Sequence, residues 1–414
     1  VWPDEPGRWH CHAFAIEGCN DCVFNGNVID ASLYHGIEVE SSSNNITITN
    51  NVINIYGMAI HINNPSNSIL SFNDITVDQN VYGIEADNCD ECVIEGNNIQ
   101  VPNGSGIKSQ HSDSLTIINN TLNTSQYGFY LSYGSGHLVN ENTITTSSTG
   151  IYIRDGSNHI IQENTITGTD DYAIDYHCSQ NVTVENNNLY PKGDYTLYNT
   201  CNNINNLIIN NTIEYDVNSD YVQAINVYNT AIQGNVIKAA TSGYSNSYAI
   251  SGYGNTIQEN EIYFYSGHSD REAIYSSSSD HCLIEKNYIE FSGNISAIEG
   301  SNFSIINNQI IGINNSSGYA INQSTPDNNL VITNNTILTG GNGIWISGGG
   351  FDFAYNLIKV GRLGVEVTNY SSGSILNNTI LGSSLDEGIL IRENSNISII
   401  NNIISNFNVG IEAQ

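Results

Sequence analysis

One short pattern returns along almost the whole chain: alternating apolar and polar residues, then Asn, one polar residue and another apolar one. It reads LTIINNTL at Leu115–Leu122, LIINNTI at Leu207–Ile213 and VITNNTI at Val331–Ile337. Aligned on the last Asn of each group, seventeen copies run from Asn27 to Asn402 at spacings of 21–27 residues. A unit this short cannot bury a core by itself, so it must stack on copies of itself. A second element lies about 14 residues upstream of each Asn, as in GIEV at Gly36–Val39, GFYL at Gly128–Leu131 and GIYI at Gly150–Ile153. Both elements alternate with period two and are too short for a helix, which marks strands with one buried face.

Short strands recurring every ~23 residues describe the coils of a parallel β-solenoid, with neighbouring coils at the ~4.8 Å strand spacing. Parallel crossovers are right-handed in nearly all proteins. The expected fold is therefore all-β, a single right-handed parallel β-helix of about 17 coils over residues 13–414, with a cap segment at 1–12. Equivalent Asn side chains then lie above one another and hydrogen-bond along a column, as amide ladders do in cross-β stacks. Asn also tolerates the left-handed conformation that a tight turn demands.

The charge balance removes several classes of function. Ten Lys and Arg stand against 41 Asp and Glu, a net charge of −31. Nucleic-acid binding needs clustered basic residues, so it is excluded. No run approaches the ~20 apolar residues of a membrane span, so no membrane insertion is expected in this segment. The first dozen residues, VWPDEPGRWHCH, depart from the repeat. The last ones begin a further coil at Gly410–Glu412, an edge that another copy of the chain is expected to cover.

The cysteines point to an oxidising, extracellular or cell-surface setting. Cys178 and Cys201 are 23 residues apart, one coil, and predict a bridge between neighbouring coils. CNDC at Cys19–Cys22 and CDEC at Cys89–Cys92 lie three coils apart, too far for one four-cysteine zinc site. Each forms a local disulfide or a reduced pair. The stretch HCHAFAIEGCNDC offers His10, Cys11, His12, Cys19 and Cys22 as soft donors. A staple from Cys11 to Cys19 or Cys22 accounts for them without a metal, and no metal or cofactor is expected. His137 and His159, one coil apart, read as a structural pair. Sequons at Asn45, Asn181, Asn294 and Asn369 are candidate glycosylation sites.

The outward position of the upstream strand can be followed from coil to coil: Glu38, His61, Glu85, Lys108, Tyr130, Tyr152, Asp175, Tyr198, and later Tyr275, Glu299, Trp345 and Glu366. Aromatic faces beside carboxylates suit sugar stacking and hydroxyl hydrogen bonds, and equally the packing of a second copy. Tyr130, Tyr152 and Tyr198 are the ligand-binding candidates.

These repeats resemble the right-handed parallel β-helix superfamily of pectate-lyase-like, NosD-like and surface-protein repeats over residues ~13–414. That superfamily includes lyases, hydrolases, epimerases, adhesins and surface-layer components, so the resemblance implies a fold more than an activity. One stretch, DYAIDYHC at Asp171–Cys178, is similar to the Tyr-Gly-Phe-Asp-Pro-His-Asp motif of alginate C5-epimerases. The resemblance implies that Tyr172, Asp175 and His177 line a sugar groove and move the C5 proton, with Arg154 neutralising a uronate carboxylate. Ala173, Tyr176 and Cys178 depart from that motif. The preferred expectation is a non-enzymatic extracellular or cell-surface structural protein, self-assembling through its open end and its tyrosine-bearing face. A uronan epimerase or lyase and a glycan-binding adhesin are the alternatives, with surface or extracellular polysaccharide as the partner.

Overall fold

Each repeat closes one turn of chain from three short strands, as in Tyr127–Ser132, Leu138–Asn140 and Thr143–Thr146. The computed structural model describes residues 3–5, 8–9, 12–31, 34–40, 43–199, 201, 205–215, 221–241, 246–266, 271–276, 280–383 and 386–414. Among these the chain is all-β, a parallel β-solenoid of about 16 turns in three sheets, with no helix. It falls into two compact units, Val1–Leu207 and Ile208–Gln414.

In the first unit, Pro3–Glu5 pairs antiparallel with Arg8–Trp9, and the parallel coils begin at the strand His12–Ile16. From there on, strands pair in parallel register with their counterparts in neighbouring coils. Lys108 faces Tyr130, and Tyr130 faces Tyr152, in the first sheet. Thr116 faces Leu138 in the second, and Leu122 faces Ile144 in the third. The inward residues form aliphatic columns, such as Ile94, Ile117, Val139 and Ile161, all fully buried. Each such side chain contributes roughly 1.5–3 kcal/mol. The second unit repeats the plan, for example in Asn342–Ser347, Gly349–Ala354 and Leu357–Val360.

The asparagine column is continuous within each unit. Asn120 Nδ2 donates to Asn142 Oδ1 at 3.0 Å, and Asn142 Nδ2 to Asn164 Oδ1 at 2.9 Å. The same oxygens also accept the backbone N–H of the preceding coil's Asn, at 2.9 and 3.0 Å. Each Nδ2 further reaches main-chain carbonyls, as Asn142 does to Ile117 and Asn140. In the second unit the ladder runs from Asn211 to Asn235 and on to Asn402. The left-handed turn conformation, however, does not fall on the ladder residue. It falls one residue earlier, at Asn119 (φ 57°), Glu141 (φ 53°), Asn186 (φ 55°) and Tyr355 (φ 58°). The two Asn of the motif therefore have separate work. The first makes the turn and faces solvent, and the second points inward and satisfies buried backbone.

A second ladder runs between the first two sheets with mixed chemistry. Ser68 Oγ accepts Ile46 N–H, His137 Nδ1 accepts Leu115 N–H and His159 Nδ1 accepts His137 N–H. His137 and His159 stack with centroids 4.8 Å apart. Burial pushes them down to about 4 and about 3, which agrees with their reading as a structural pair.

Cys178–Cys201 is bonded between neighbouring coils, and Cys19–Cys22 and Cys89–Cys92 are bonded locally. The local pair at Cys19–Cys22 corrects the expected staple to Cys11, because both candidate partners are consumed. Cys11 and His10 themselves lie outside the described residues. Cys282 is free and buried. Asn45, Asn181, Asn294 and Asn369 are exposed, while Asn315, another sequon residue, is buried.

Asn164→Ala strips two donors of Asn142 of their acceptor and frees the carbonyls of Val139 and Gln162. At ~1–3 kcal/mol for each unmet buried group, it should cost about 3 kcal/mol or more, read as a lower urea midpoint. The histidine pair acts with pH. Both stay neutral when folded yet take up protons below about 6.5 when unfolded. Stability is complete above pH 6.5 and is lost as pH falls toward 4. Urea titrations at pH 8, 6 and 4 should show that loss, reduced in His159→Asn, whose amide supplies the same acceptor.

Candidate functional site

The upstream strand bends at its small second residue, and this bend sets the chemistry of the first sheet. At Gly36 an added Cβ would stand 2.5 Å from the carbonyl oxygen of Ala59, and at Gly128 2.5 Å from that of Gly150. Close approach here lets residues on both sides of the bend face outward, although they are three apart. The sheet therefore carries two parallel columns. One is the column expected from sequence, and its register holds from Glu38 to Tyr198 in the first unit. In the second unit it holds from Tyr275 through Glu299, Asn322 and Trp345 to Glu366. The other column, missed from sequence, holds His35, Tyr82, Tyr127, Tyr172 and Tyr195, then Tyr248, Glu272 and Tyr319. Its signal was present, as the residue just before the Gly or Ala of each strand, or before Thr196 in the case of Tyr195.

In the first unit the columns meet as a tyrosine cluster around Asp175. Tyr130 stacks on Tyr152 at 5.1 Å, and Tyr127 lies edge-on to Tyr130 at 5.3 Å. Tyr172 packs on Tyr198 at 4.8 Å, and Tyr195 meets Tyr198 at 5.2 Å. The expected ligand-binding Tyr130, Tyr152 and Tyr198 thus sit in one half-buried aromatic patch. Asp175 is only 5% exposed, and its Oδ1 has no hydrogen-bond partner. Burial pushes it up to about 7, opposed by a hydrogen bond from the His177 backbone. Burial and the nearby Asp175 push Tyr152 and Tyr172 up to about 12.

The four catalytic candidates are not gathered equally. Tyr172 and Asp175 share the patch. Arg154 is exposed and its Nε is held 2.9 Å from Asp155 Oδ2. The His177 imidazole lies beside the sulfurs of the Cys178–Cys201 bridge.

The second unit has a more open site. A cleft of about 360 Å³ is lined by Tyr248, Glu272, Tyr275, Glu299, Tyr319 and Asn322, among others. Tyr248 stacks on Tyr275 at 4.8 Å, and Tyr319 meets Trp345 at 5.9 Å. Glu299 accepts from Asn322 Nδ2 at 2.7 Å and from Ser296 Oγ at 3.2 Å. The Tyr319 hydroxyl donates to Glu366. Aromatic rings, three amides, two carboxylates and the buried Arg271 line one cleft.

A family model of the right-handed β-helix region matches residues 8–137 and 82–237, together more than half of the chain. The chain belongs to that family. No curated protein matches it. Among solved structures, it is similar to DFA-IIIase from Arthrobacter chlorophenolicus A6 without its lid, in complex with GF2. Identity is 9%, coverage 69% of this chain and 70% of that one, and the TM-score 0.36. It is similar to PfbA, a surface adhesin of Streptococcus pneumoniae, at 13% identity, covering 73% and 85%, with a TM-score of 0.35. The third is the A-module of the Azotobacter vinelandii mannuronan C-5 epimerase AlgE6, at 10% identity, covering 91% and 87%, with a TM-score of 0.26. The chain spans about two thirds of the length of the DFA-IIIase structures.

Asp175 gives this patch its own pH signature. Its folded pKa lies above the value of about 4 in an unfolded chain, so its contribution is complete below pH 4 and lost as pH rises through 7. The loss amounts to at most about 4 kcal/mol. Asp175→Asn should remove this dependence and be the more stable protein at pH 8, measured by thermal unfolding.

Proposed function

We propose that this protein is a non-enzymatic, extracellular β-helix whose aromatic–carboxylate face binds uncharged glycans, with the cleft of the second unit as the main subsite. One observation carries the reading. Tyr248, Tyr275 and Tyr319 line one cleft with Glu299 and Asn322, Trp345 lies against Tyr319, and the one Arg of that lining, Arg271, is 1% exposed and donates to Ser266 Oγ. Sugar rings pack their C–H faces on aromatic rings, and carboxylates and amides accept and donate to their hydroxyls. A uronate would need an available cation. Among the described residues, the one Lys or Arg in either column is Lys108, bound to Glu85 and 3.4 Å from Asp87. Arg154 is paired with Asp155, Arg392 lies 3.6 Å from Glu366, and Arg271 is 1% exposed. Uronan epimerase or lyase chemistry also lacks support at Asp175. A carboxylate only 5% exposed offers no path to a sugar proton without rearrangement. Three disulfides fit an oxidising compartment, and four exposed sequons fit a secreted glycoprotein.

Glycan-array screening followed by calorimetry with neutral oligosaccharides should show binding. Tyr275→Ala and Trp345→Ala should each weaken it about tenfold, or ~1.4 kcal/mol. Uronate polymers should yield neither unsaturated products nor C5 inversion. Absence of any neutral-glycan binding sinks the proposal, as does uronan turnover abolished by His177→Ala. If the same two variants instead dissolve a dimer seen by light scattering, the face joins copies of the chain and the glycan reading fails.

A further inference from the structure

The outward columns begin, in the first unit, with a group unlike the tyrosines that follow. His12, His35, Glu38 and His61 come from three successive strands, His12–Ile16, His35–Val39 and Met58–Asn63. His12 pairs in register with His35, and Glu38 with His61. The bend at Gly36 brings His35 and Glu38, three residues apart, to the same face. Glu38 Oε2 lies 2.5 Å from His12 Nδ1 and 3.2 Å from His35 Nδ1. Its other oxygen, Oε1, lies 3.4 Å from His61 Nδ1. The rings of His12 and His35 are 5.1 Å apart and those of His35 and His61 5.3 Å.

We propose that His12 Nδ1, His35 Nδ1 and a Glu38 oxygen form a binding site for one zinc-class divalent ion, with His61 positioning the carboxylate. Bonds of about 2.0–2.2 Å at tetrahedral angles hold donor atoms about 3.3 Å apart. The three donor atoms already lie within 4.8 Å of one another. Three protein ligands leave a fourth position for water. Two imidazoles and one carboxylate suit Zn²⁺ and its neighbours Co²⁺, Ni²⁺ and Cu²⁺, whereas Ca²⁺ and Mg²⁺ require oxygen-rich shells.

Neighbouring contacts hold the donors in place. His35 is only 8% exposed, and the Tyr34 ring stacks on its imidazole at 4.5 Å. The hydrogen bond from His61 to the second oxygen is the kind of outer contact that fixes a ligand's orientation. The ligand set bridges two coils, so a bound ion would fasten the first parallel coils together. Of the cysteines that suggested soft ligands from sequence, Cys19 and Cys22 are not part of it. Cys19 and Cys22 are joined to each other, and Cys178 and Cys201, beside His177, are likewise oxidised.

The test is calorimetric titration of chelator-stripped protein with ZnCl₂ at pH 7.5, in excess Mg²⁺ to occupy the acidic surface. One saturable event per chain is expected, lost in His35→Ala and weakened about tenfold or more in His61→Ala. No saturable event, or one unchanged in His35→Ala, overturns the proposal. Should His35→Ala fail to fold, Co²⁺ added to the unaltered protein decides. Visible d–d bands of a four-coordinate nitrogen–oxygen site support the proposal, and the weak bands of hexa-aquo cobalt alone refute it.

Discussion

The amide ladder is the interaction on which the rest depends. A coil of parallel strands leaves main-chain donors and acceptors stranded at every corner, and each costs ~1–3 kcal/mol if buried without a partner. The inward Asn meets that need repeatedly. Its Oδ1 takes two donors from the coil before, and its Nδ2 reaches the next ladder oxygen and nearby carbonyls. Only a short side chain with an acceptor and two donors does this in a corner where every coil is equivalent. Spacing can then vary from 21 to 27 residues, because extra residues leave through the loops while the corner stays in register.

The ladder also fixes what the surface can present. With the corners pinned, side chains at one register position stand ~4.8 Å apart along a column, close enough for rings to stack. The bend at the small residue doubles that column and makes a surface two side chains wide. Its composition then changes along the first unit, from imidazoles and a carboxylate at His12–His61 to tyrosines at Tyr127–Tyr198. In the second unit it becomes aromatic rings beside Glu299 and Asn322, lining a cleft. One scaffold thus offers chemically different stretches without any change in backbone.

Much of the fold was legible because period and polarity repeat. The ladder, the aliphatic columns, the Cys178–Cys201 bridge and the column from Glu38 to Tyr198 all follow from counting residues between equivalent positions. Legibility ended where a local feature broke strict alternation. The left-handed residue precedes the ladder Asn, because the inward amide needs an ordinary backbone while the turn residue faces solvent. The second outward column was invisible to a period-two reading, since His35 and Glu38, or Tyr127 and Tyr130, have opposite parity until the strand bends between them.

By itself the sequence determined the class of fold, because a 23-residue repeat of short alternating strands has no other way to bury its apolar face. It also determined which residues stack, because register follows from spacing. Only the tertiary structure decided that Asp175 is buried near Tyr152 and Tyr172, that Arg154 is spent on Asp155, and that three histidines converge on Glu38. Those facts depend on side-chain directions at a bend and on exposure, and neither is written in the spacing of residues along a chain.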